Sequence, residues 1–433
     1  MSKKTASLSR FVQGDTLEVD IKGNKLHGSF INFDESDGIL VLKLKSGYDV
    51  ALSKKEVNSI SLLEHNEVKK QPETATKKPE QDFDIELIAT GGTIASKIDY
   101  RTGGTSPSFS GDHYIELAPE MSKYGRINVK VLMNIWSENM LPSDWVKIAK
   151  EAYSAINKGG AKGVIVTMGT DAMHFAASAL SFLLNPLSVP VVITGAQRSS
   201  DRGSSDASSN LLLSSIVASK WSGGESVVCM HATVNDDYNF ILRGNRVRKM
   251  HTERRDAFRP INTPPLGKVF LDGKIEDIGE HITKSDKTAI DTKLDANVKL
   301  LASYPGMGGE AIKYYLGRKV HGLVIAGTGF GNLPIADKSL MSALKEANKK
   351  EVPIVITSQT VYGSTNKFVY SALRELSSLE NIIYVNDMLT ETAFTKLMFV
   401  LGHTRDIKRI KETMQTPLAG ELSTRSAITD YLI

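Results

Sequence analysis

From Asp82 onward the chain repeats one pattern: a short, nearly unbroken apolar run, a stretch long enough for a helix, then another apolar run. The first series is Ile85-Glu86-Leu87-Ile88-Ala89, Gly163-Val164-Ile165-Val166-Thr167, Val189-Pro190-Val191-Val192-Ile193-Thr194 and Ser226-Val227-Val228-Cys229-Met230. Strands apolar on both sides have to be covered on both faces, so the pattern predicts a parallel sheet between two helical layers. Ser143 is a plausible N-cap for a helix over Asp144 to Asn157 that Gly159-Gly160 stops. Asp171 can cap another that runs to about Leu184, before Asn185-Pro186.

A polar stretch from Lys274 to Asp295 is followed by a second series: Val298-Lys299-Leu300-Leu301-Ala302, Gly322-Leu323-Val324-Ile325-Ala326 and Pro353-Ile354-Val355-Ile356-Thr357. It predicts a smaller second α/β unit. Ahead of both, residues 11 to 63 alternate with a period of two, as in Asp15 to Ile21 and Gly38 to Leu44, broken by Lys22-Gly23-Asn24 and Ser46-Gly47. This is the signature of a small antiparallel barrel. Glu67 to Gln81 has almost no large apolar residue and reads as an exposed linker. The expected organisation is a β-barrel domain over 1–66, a linker over 67–81, a larger α/β domain over 82–290 and a smaller one over 291–433.

A length of 433 residues is too long for one core, in agreement with several units. No stretch approaches the roughly 20 apolar residues of a membrane helix, and Met1 to Asp15 lacks the apolar segment of a secretory signal. The expectation is a cytoplasmic protein without a membrane partner. The single cysteine, Cys229, sits in an apolar strand and reads as a buried core thiol. A net charge of +4 does not single out any partner.

In α/β sheets, ligands bind beyond the carboxyl ends of the strands. Three such ends carry small polar groups and glycine: Thr90-Gly91-Gly92-Thr93-Ile94-Ala95, Met168-Gly169-Thr170-Asp171 and Gly195-Ala196-Gln197-Arg198. With no histidine or acidic spacing suited to a metal, they point to hydroxyl-based chemistry. A threonine hydroxyl is a poor nucleophile, so a base has to take its proton. A lysine amine whose pKa is depressed by burial or nearby cations can do so. Backbone N–H groups in glycine turns could stabilise the oxyanion formed on an amide carbon, at roughly 2.7–4 kcal/mol per donor.

In combination and order, the first two of these motifs resemble those of the bacterial-type L-asparaginases, over about 350 residues from Ile85. Gly327-Thr328-Gly329-Phe330-Gly331-Asn332-Leu333 is similar to the family's glycine-rich loop in its second domain. The resemblance implies an asparaginase-like α/β fold. It also implies that Thr93 is the nucleophile, that Thr170 and Asp171 are the second threonine and its acidic neighbour, and that Lys249 completes a Thr-Lys-Asp relay. Ser137 and Glu138, which follow an expected strand over Val129 to Ile135, would hold the substrate's α-carboxylate and α-amine, with Ala196 also in the substrate site. Tyr100 would be the mobile tyrosine, on a loop from Ser96 to Ser110 suited to a lid. The family pattern further implies a homodimer, with no metal or cofactor in this chain. By charge pattern alone, Lys249 among Arg243, Arg246, Arg248, Arg254 and Arg255 reads as a solvated face. His174 reads as a packing or hydrogen-bonding residue.

An asparaginase needs only the two α/β units. The added N-terminal β-domain and Thr194-Gly195-Ala196-Gln197-Arg198-Ser199-Ser200-Asp201 resemble one branch, the D subunits of archaeal glutamyl-tRNA(Gln) amidotransferases. That resemblance implies ammonia release from glutamine or asparagine for a partner, the amidotransferase E subunit. The partner would bind tRNA(Gln), use ATP and Mg2+, and convert Glu-tRNA(Gln) to Gln-tRNA(Gln). Consistently, the chain has no G-x-x-x-x-G-K-[ST] phosphate loop. A free-standing cytoplasmic L-asparaginase is the alternative, and an amino-acid-sensing module is a third reading. A nicotinamide dehydrogenase is more distant, because Gly327 to Gly331 lacks the G-x-G-x-x-G spacing.

Overall fold

The structure is a computed structural model that describes residues 11, 15–34, 38–44, 49–65, 83–98, 105–107, 111–200, 204–423, 425 and 431. Expectations for residues 67–81, Ser46-Gly47 and Tyr100 fall outside the described residues.

The N-terminal unit is a five-stranded antiparallel sheet of β1 (Thr16–Ile21), β2 (Asn24–Asp34), β3 (Ile39–Leu44), β4 (Asp49–Ser53) and β5 (Val57–Glu64), in the order β4-β3-β2-β1-β5. Lys22 and Gly23 both take positive φ, at 52° and 92°, which is what a two-residue turn between right-twisted strands requires. Alternate residues Leu17, Val19, Leu40 and Leu42 meet Phe11, Phe30 and Leu52 in its core.

The larger α/β unit contains β6 (Ile85–Ala89), β7 (Ser96–Ile98), β8 (Thr105–Pro107), α1 (Asp112–Leu117), β9 (Ile127–Val131), α2 (Pro142–Asn157), β10 (Gly163–Thr167), α3 (Met173–Leu183), β11 (Val191–Thr194), α4 (Ala207–Lys220), β12 (Ser226–His231), β13 (Tyr238–Arg243), β14 (Val247–Lys249), β15 (Phe258–Pro260), β16 (Gly267–Phe270) and β17 (Ile275–Asp277). Its main sheet runs β17-β16-β13-β12-β11-β10-β6-β9. The strands from β12 to β9 are parallel, as the apolar runs predict, whereas β13, β16 and β17 are antiparallel. The direction changes because residues 232–237 are too few for the crossover that a parallel neighbour demands.

Strand residues alternate between two cores. Ile88, Val164, Val166, Val191 and Ile193 face one side with helices α2 and α3. Leu87, Ile165, Val192 and Cys229 face the other with α4 and Trp221. Each fully buried Leu, Ile or Val contributes about 1.5–3 kcal/mol relative to exposure, so both faces favour the layered arrangement. Cys229 is a fully buried thiol, and burial pushes its pKa up to about 11.

The smaller unit holds β18 (Val298–Ala302), α5 (Glu310–Gly317), β19 (Gly322–Gly327), α6 (Lys338–Lys349), β20 (Ile354–Ser358), α7 (Ser371–Ser377), β21 (Ile382–Tyr384), α8 (Thr390–Leu401) and α9 (Ile407–Gln415). Its sheet, β18-β19-β20-β21, is wholly parallel. Val324, Val355 and Leu397 extend the α2–α3 core, so the two units share apolar contacts. Helices α3 and α8 also meet through Ser178 Oγ and Thr395 Oγ1 at 2.7 Å.

Three local expectations change. Helix α2 begins at Pro142, not Asp144, and Ser143 is not its cap; instead the Asp144 carboxylate accepts from Leu141 N at 2.9 Å. Asp171 does not cap α3, whose N-terminal flanking residue is Ala172, because its carboxylate is engaged by Lys249. The strand expected over Val129 to Ile135 ends at Val131, and the following residues leave the sheet to cross the Thr90-Gly91 turn, where Ile135 N donates to Thr90 O at 3.0 Å.

Candidate active site

Parallel β6, β10 and β11 end side by side, so their turns converge beyond the sheet. Gly92 has a φ of 83°, and a Cβ there would collide with the backbone of Gly169. Only glycine lets the turn after β6 lie directly on the turn after β10. Thr93 follows that contact directly and opens a short 3-10 turn anchored by buried Ile94. Gly195 packs as closely on Met168 and Thr170, which brings in the turn after β11.

The functional groups then meet. Lys249 Nζ donates to Thr170 Oγ1 at 2.8 Å and to Asp171 Oδ1 at 2.7 Å. The Lys249 side chain is only 9% exposed and Asp171 72%, so the ammonium end is enclosed while its carboxylate partner borders solvent. Thr170 Oγ1 in turn donates to Gln197 Oε1 at 3.2 Å. Both hydrogen bonds of the lysine go to Thr170 and Asp171 rather than to Thr93.

Lys249 lies at the end of β14, far from these strands in sequence, and ion pairs hold it there. Arg243 pairs with Glu225 at 2.7 Å, Arg246 with Asp387 at 2.9 Å, Arg248 with Glu391 at 3.3 Å, Arg254 with Asp256 at 2.8 Å and Arg255 with Asp236 at 2.8 Å. The expectation of a solvated basic face is therefore wrong for most of the run. Arg246 is buried and also donates to Asn262 O, Gly420 O and Ser423 Oγ, so it fixes the segment before β14 to the C-terminal unit.

Ser137 is buried, and its Oγ accepts from Ala172 N at 3.2 Å, beside Gly169. Glu138, on the same short turn, is exposed. Ala196 has no exposed surface, main chain included, and packs in the core behind the site. His174 is buried behind the lysine, with Nε2 3.9 Å from Glu391. Burial pushes its pKa down to about 4, so it is neutral at pH 7 and serves packing. β7 and β8 form a hairpin at the base of the expected lid. Among the described residues no three His, Cys, Asp or Glu side chains converge as metal ligands would.

Sequence reasoning passed over Gln197 as a functional side chain, although its strand-end position in Gly195-Ala196-Gln197-Arg198 was the available signal. It also missed Asp206, the buried carboxylate that receives the Gln197 and Arg198 backbone N–H groups at 3.0 Å.

Parallel strands ending in glycine turns, with a buried lysine between a threonine and an aspartate, define a class. A family model described as "Asparaginase, N-terminal" matches residues 84–282, and one described as "Glutaminase/Asparaginase C-terminal domain" matches residues 297–414. The chain belongs to the asparaginase family. The solved L-asparaginase of Thermococcus kodakarensis is 29% identical with a TM-score of 0.70, covering 79% of this chain and 100% of that one. Asparaginase I of Vibrio cholerae is 27% identical with a TM-score of 0.67, covering 78% and 99%.

Within that family the chain belongs with the D subunits of glutamyl-tRNA(Gln) amidotransferases. It is 41% identical over 416 residues to the D subunit of Sulfolobus acidocaldarius, spanning 95% of this chain and 91% of the relative. With the D subunit of Methanobrevibacter smithii it is 40% identical over 438 residues, spanning 100% and 99%.

Proposed function

We propose that this chain hydrolyses the side-chain amide of glutamine or asparagine and delivers the ammonia for conversion of Glu-tRNA(Gln) to Gln-tRNA(Gln) on a partner protein. The enclosed Lys249 held between Thr170 and Asp171 carries the chemical part of this reading. Thr93 attacks the amide carbon, the lysine–threonine pair takes up its proton, and turn N–H groups receive the oxyanion. Ammonia leaves, and water cleaves the resulting ester. Ser137 and Glu138 border the position for the amino-acid end, with the exposed Glu138 carboxylate suited to an α-ammonium.

Coverage favours the tRNA-dependent system over a free-standing L-asparaginase. The solved asparaginases leave about a fifth of this chain unmatched, whereas the D subunits match it nearly end to end. ATP and Mg2+ are assigned to the partner, the amidotransferase E subunit, which also makes the main contacts with tRNA(Gln). The working location is the cytoplasm; among the described residues no helix is long and apolar enough to cross a membrane. The chain works as a homodimer with its sites near the interface between the two copies, a reading supported by the exposed Phe330, Phe368 and Tyr370 on loops of the C-terminal unit.

The test is ammonia release from glutamine by the chain alone, with the partner, and with the partner plus glutamyl-tRNA. Stimulation by the charged tRNA is expected; equal rates in all three would favour the free asparaginase.

A further inference from the structure

Thr170 Oγ1 stands between two groups. Lys249 Nζ donates to it at 2.8 Å, and its own proton goes to Gln197 Oε1 at 3.2 Å. A hydroxyl has one proton, so while Gln197 accepts it, that proton cannot point at the lysine nitrogen. The other end of the same amide, Gln197 Nε2, is shielded from solvent and has no hydrogen-bond partner among the described residues. A buried N–H donor left over beside a catalytic hydroxyl is the arrangement that requires a reason.

The main chain of Gln197 is firmly held. Its backbone N donates to Asp206 at 3.0 and 3.1 Å, and Arg198 N donates to the same buried carboxylate at 3.0 Å. Asn210 Nδ2 bridges Asp206 Oδ2 at 3.0 Å and Gly195 O at 2.9 Å, while Asn210 Oδ1 meets His231 Nδ1 at 2.7 Å. With the loop pinned from behind, the terminal amide is the part that can change, and its last torsion is soft and roughly two-fold. Half a turn exchanges acceptor for donor. Nε2 then donates to Thr170 Oγ1, Oε1 takes over the buried position that Nε2 had held, and the Thr170 proton is free to turn towards Lys249 Nζ whenever that amine has given up a proton.

We infer that Gln197 is a positioning residue of the amide-hydrolysing site, whose amide orientation decides whether the Thr170 proton points away from Lys249 or towards it. This rests on the hydrolytic reading of the site given above. In the competent orientation the relay balances: Thr93 passes its proton to Thr170 Oγ1 as its oxygen bonds to the amide carbon, and Thr170 passes its own to Lys249 Nζ. Thr170 ends as it began, the lysine becomes an ammonium beside Asp171, and the negative charge resides on the substrate oxygen. In the other orientation the relay is interrupted at Thr170.

The experiment measures kcat, KM and the pH profile for glutamine hydrolysis by the full chain, in whichever assembly gives the highest wild-type rate. Gln197→Glu can only accept at this position, so it locks the Thr170 proton away from the lysine and adds a carboxylate nearby. The expected result is a loss of about 100-fold in kcat, a nearly unchanged KM and an acidic limb of the profile moved to higher pH. Gln197→Met, close in shape but unable to bond, should lose about tenfold in kcat, the worth of one hydrogen bond, with the limb unmoved. Thr170→Ala and Lys249→Met are measured alongside. If those two keep turnover, the hydrolytic reading of the site itself fails. If they lose it while folded Gln197→Glu or Gln197→Met keeps the wild-type kcat and pH profile, the role given to Gln197 is overturned and the site reading stands.

Discussion

The two α/β units end comparable parallel strands in glycine and threonine, yet only one of these ends gathers ionisable groups. After β10, Thr170 is buried and its hydroxyl meets Lys249 and Gln197. At the end of β19, Thr328 is exposed, and among the described residues its Oγ1 reaches only to Asn332 O at 3.5 Å, within its own turn. The strands are alike, so the difference lies in what crosses over them. β14 brings a lysine to the first, and the Arg246–Asp387 pair anchors the approach to that strand. A strand-end hydroxyl gains chemistry when a second, separately anchored segment supplies its partner.

The sharpest way to break this comparison is to remove the partner. Lys249→Met should lower glutamine turnover by about 1,000-fold or more with the melting temperature nearly unchanged, while Thr328→Ala stays within about twofold of wild type. Ammonia release and thermal melting on the same samples check both, and comparable losses at the two threonine turns would erase the distinction.

Next in size is the anchor. Arg246→Met leaves Asp387 buried without its cation, and urea unfolding should show a loss of about 3–5 kcal/mol. Arg254, in the same basic run but half exposed, should cost far less on the same change. Equal costs would mean that the run acts as one surface after all.

A third contrast is with the interior of the site-bearing sheet. Glu86 on β6 is buried, and burial pushes its pKa up to about 7, only partly opposed by Asn128 Nδ2 donating to it at 2.7 Å. Between pH 4.5, its ordinary value, and about 7 the folded chain holds a proton that the unfolded chain has released. Stability from this group is therefore full below that window and lost as pH rises through it. Glu86→Gln should flatten this fall and raise stability at pH 8 by up to about 3 kcal/mol, read from unfolding curves across pH. A mutant curve parallel to wild type would show that Glu86 is ionised in the fold.

The sheets were legible because every run of buried strand leaves an apolar trace, and Ile85–Ala89, Gly163–Thr167 and Val298–Ala302 have the expected limits. The turns bearing Thr93 and Thr170 were legible for a related reason: only glycine permits two strand-end turns to lie in contact. Lys249 was visible through family resemblance and not through its surroundings. The carboxylates that pair with Arg246 and Arg248 are Asp387 and Glu391, more than a hundred residues away, so nothing local marks that part of the run as buried. The antiparallel return of β13 was likewise hidden in a connection too short to cross the sheet, and Gln197 gains its meaning from Asp206, which touches it only in the fold.

The central claim is that the turn after β6 supplies the nucleophile and the lysine-bearing crossing supplies its base. It is tested most directly by rapidly quenching the active enzyme with glutamine and mapping the covalent ester by mass spectrometry. The account predicts a glutamyl ester on the peptide containing Thr93, absent in Thr93→Ala and strongly reduced in Lys249→Met. An ester on Thr170, or wild-type turnover in folded Thr93→Ala, would contradict it.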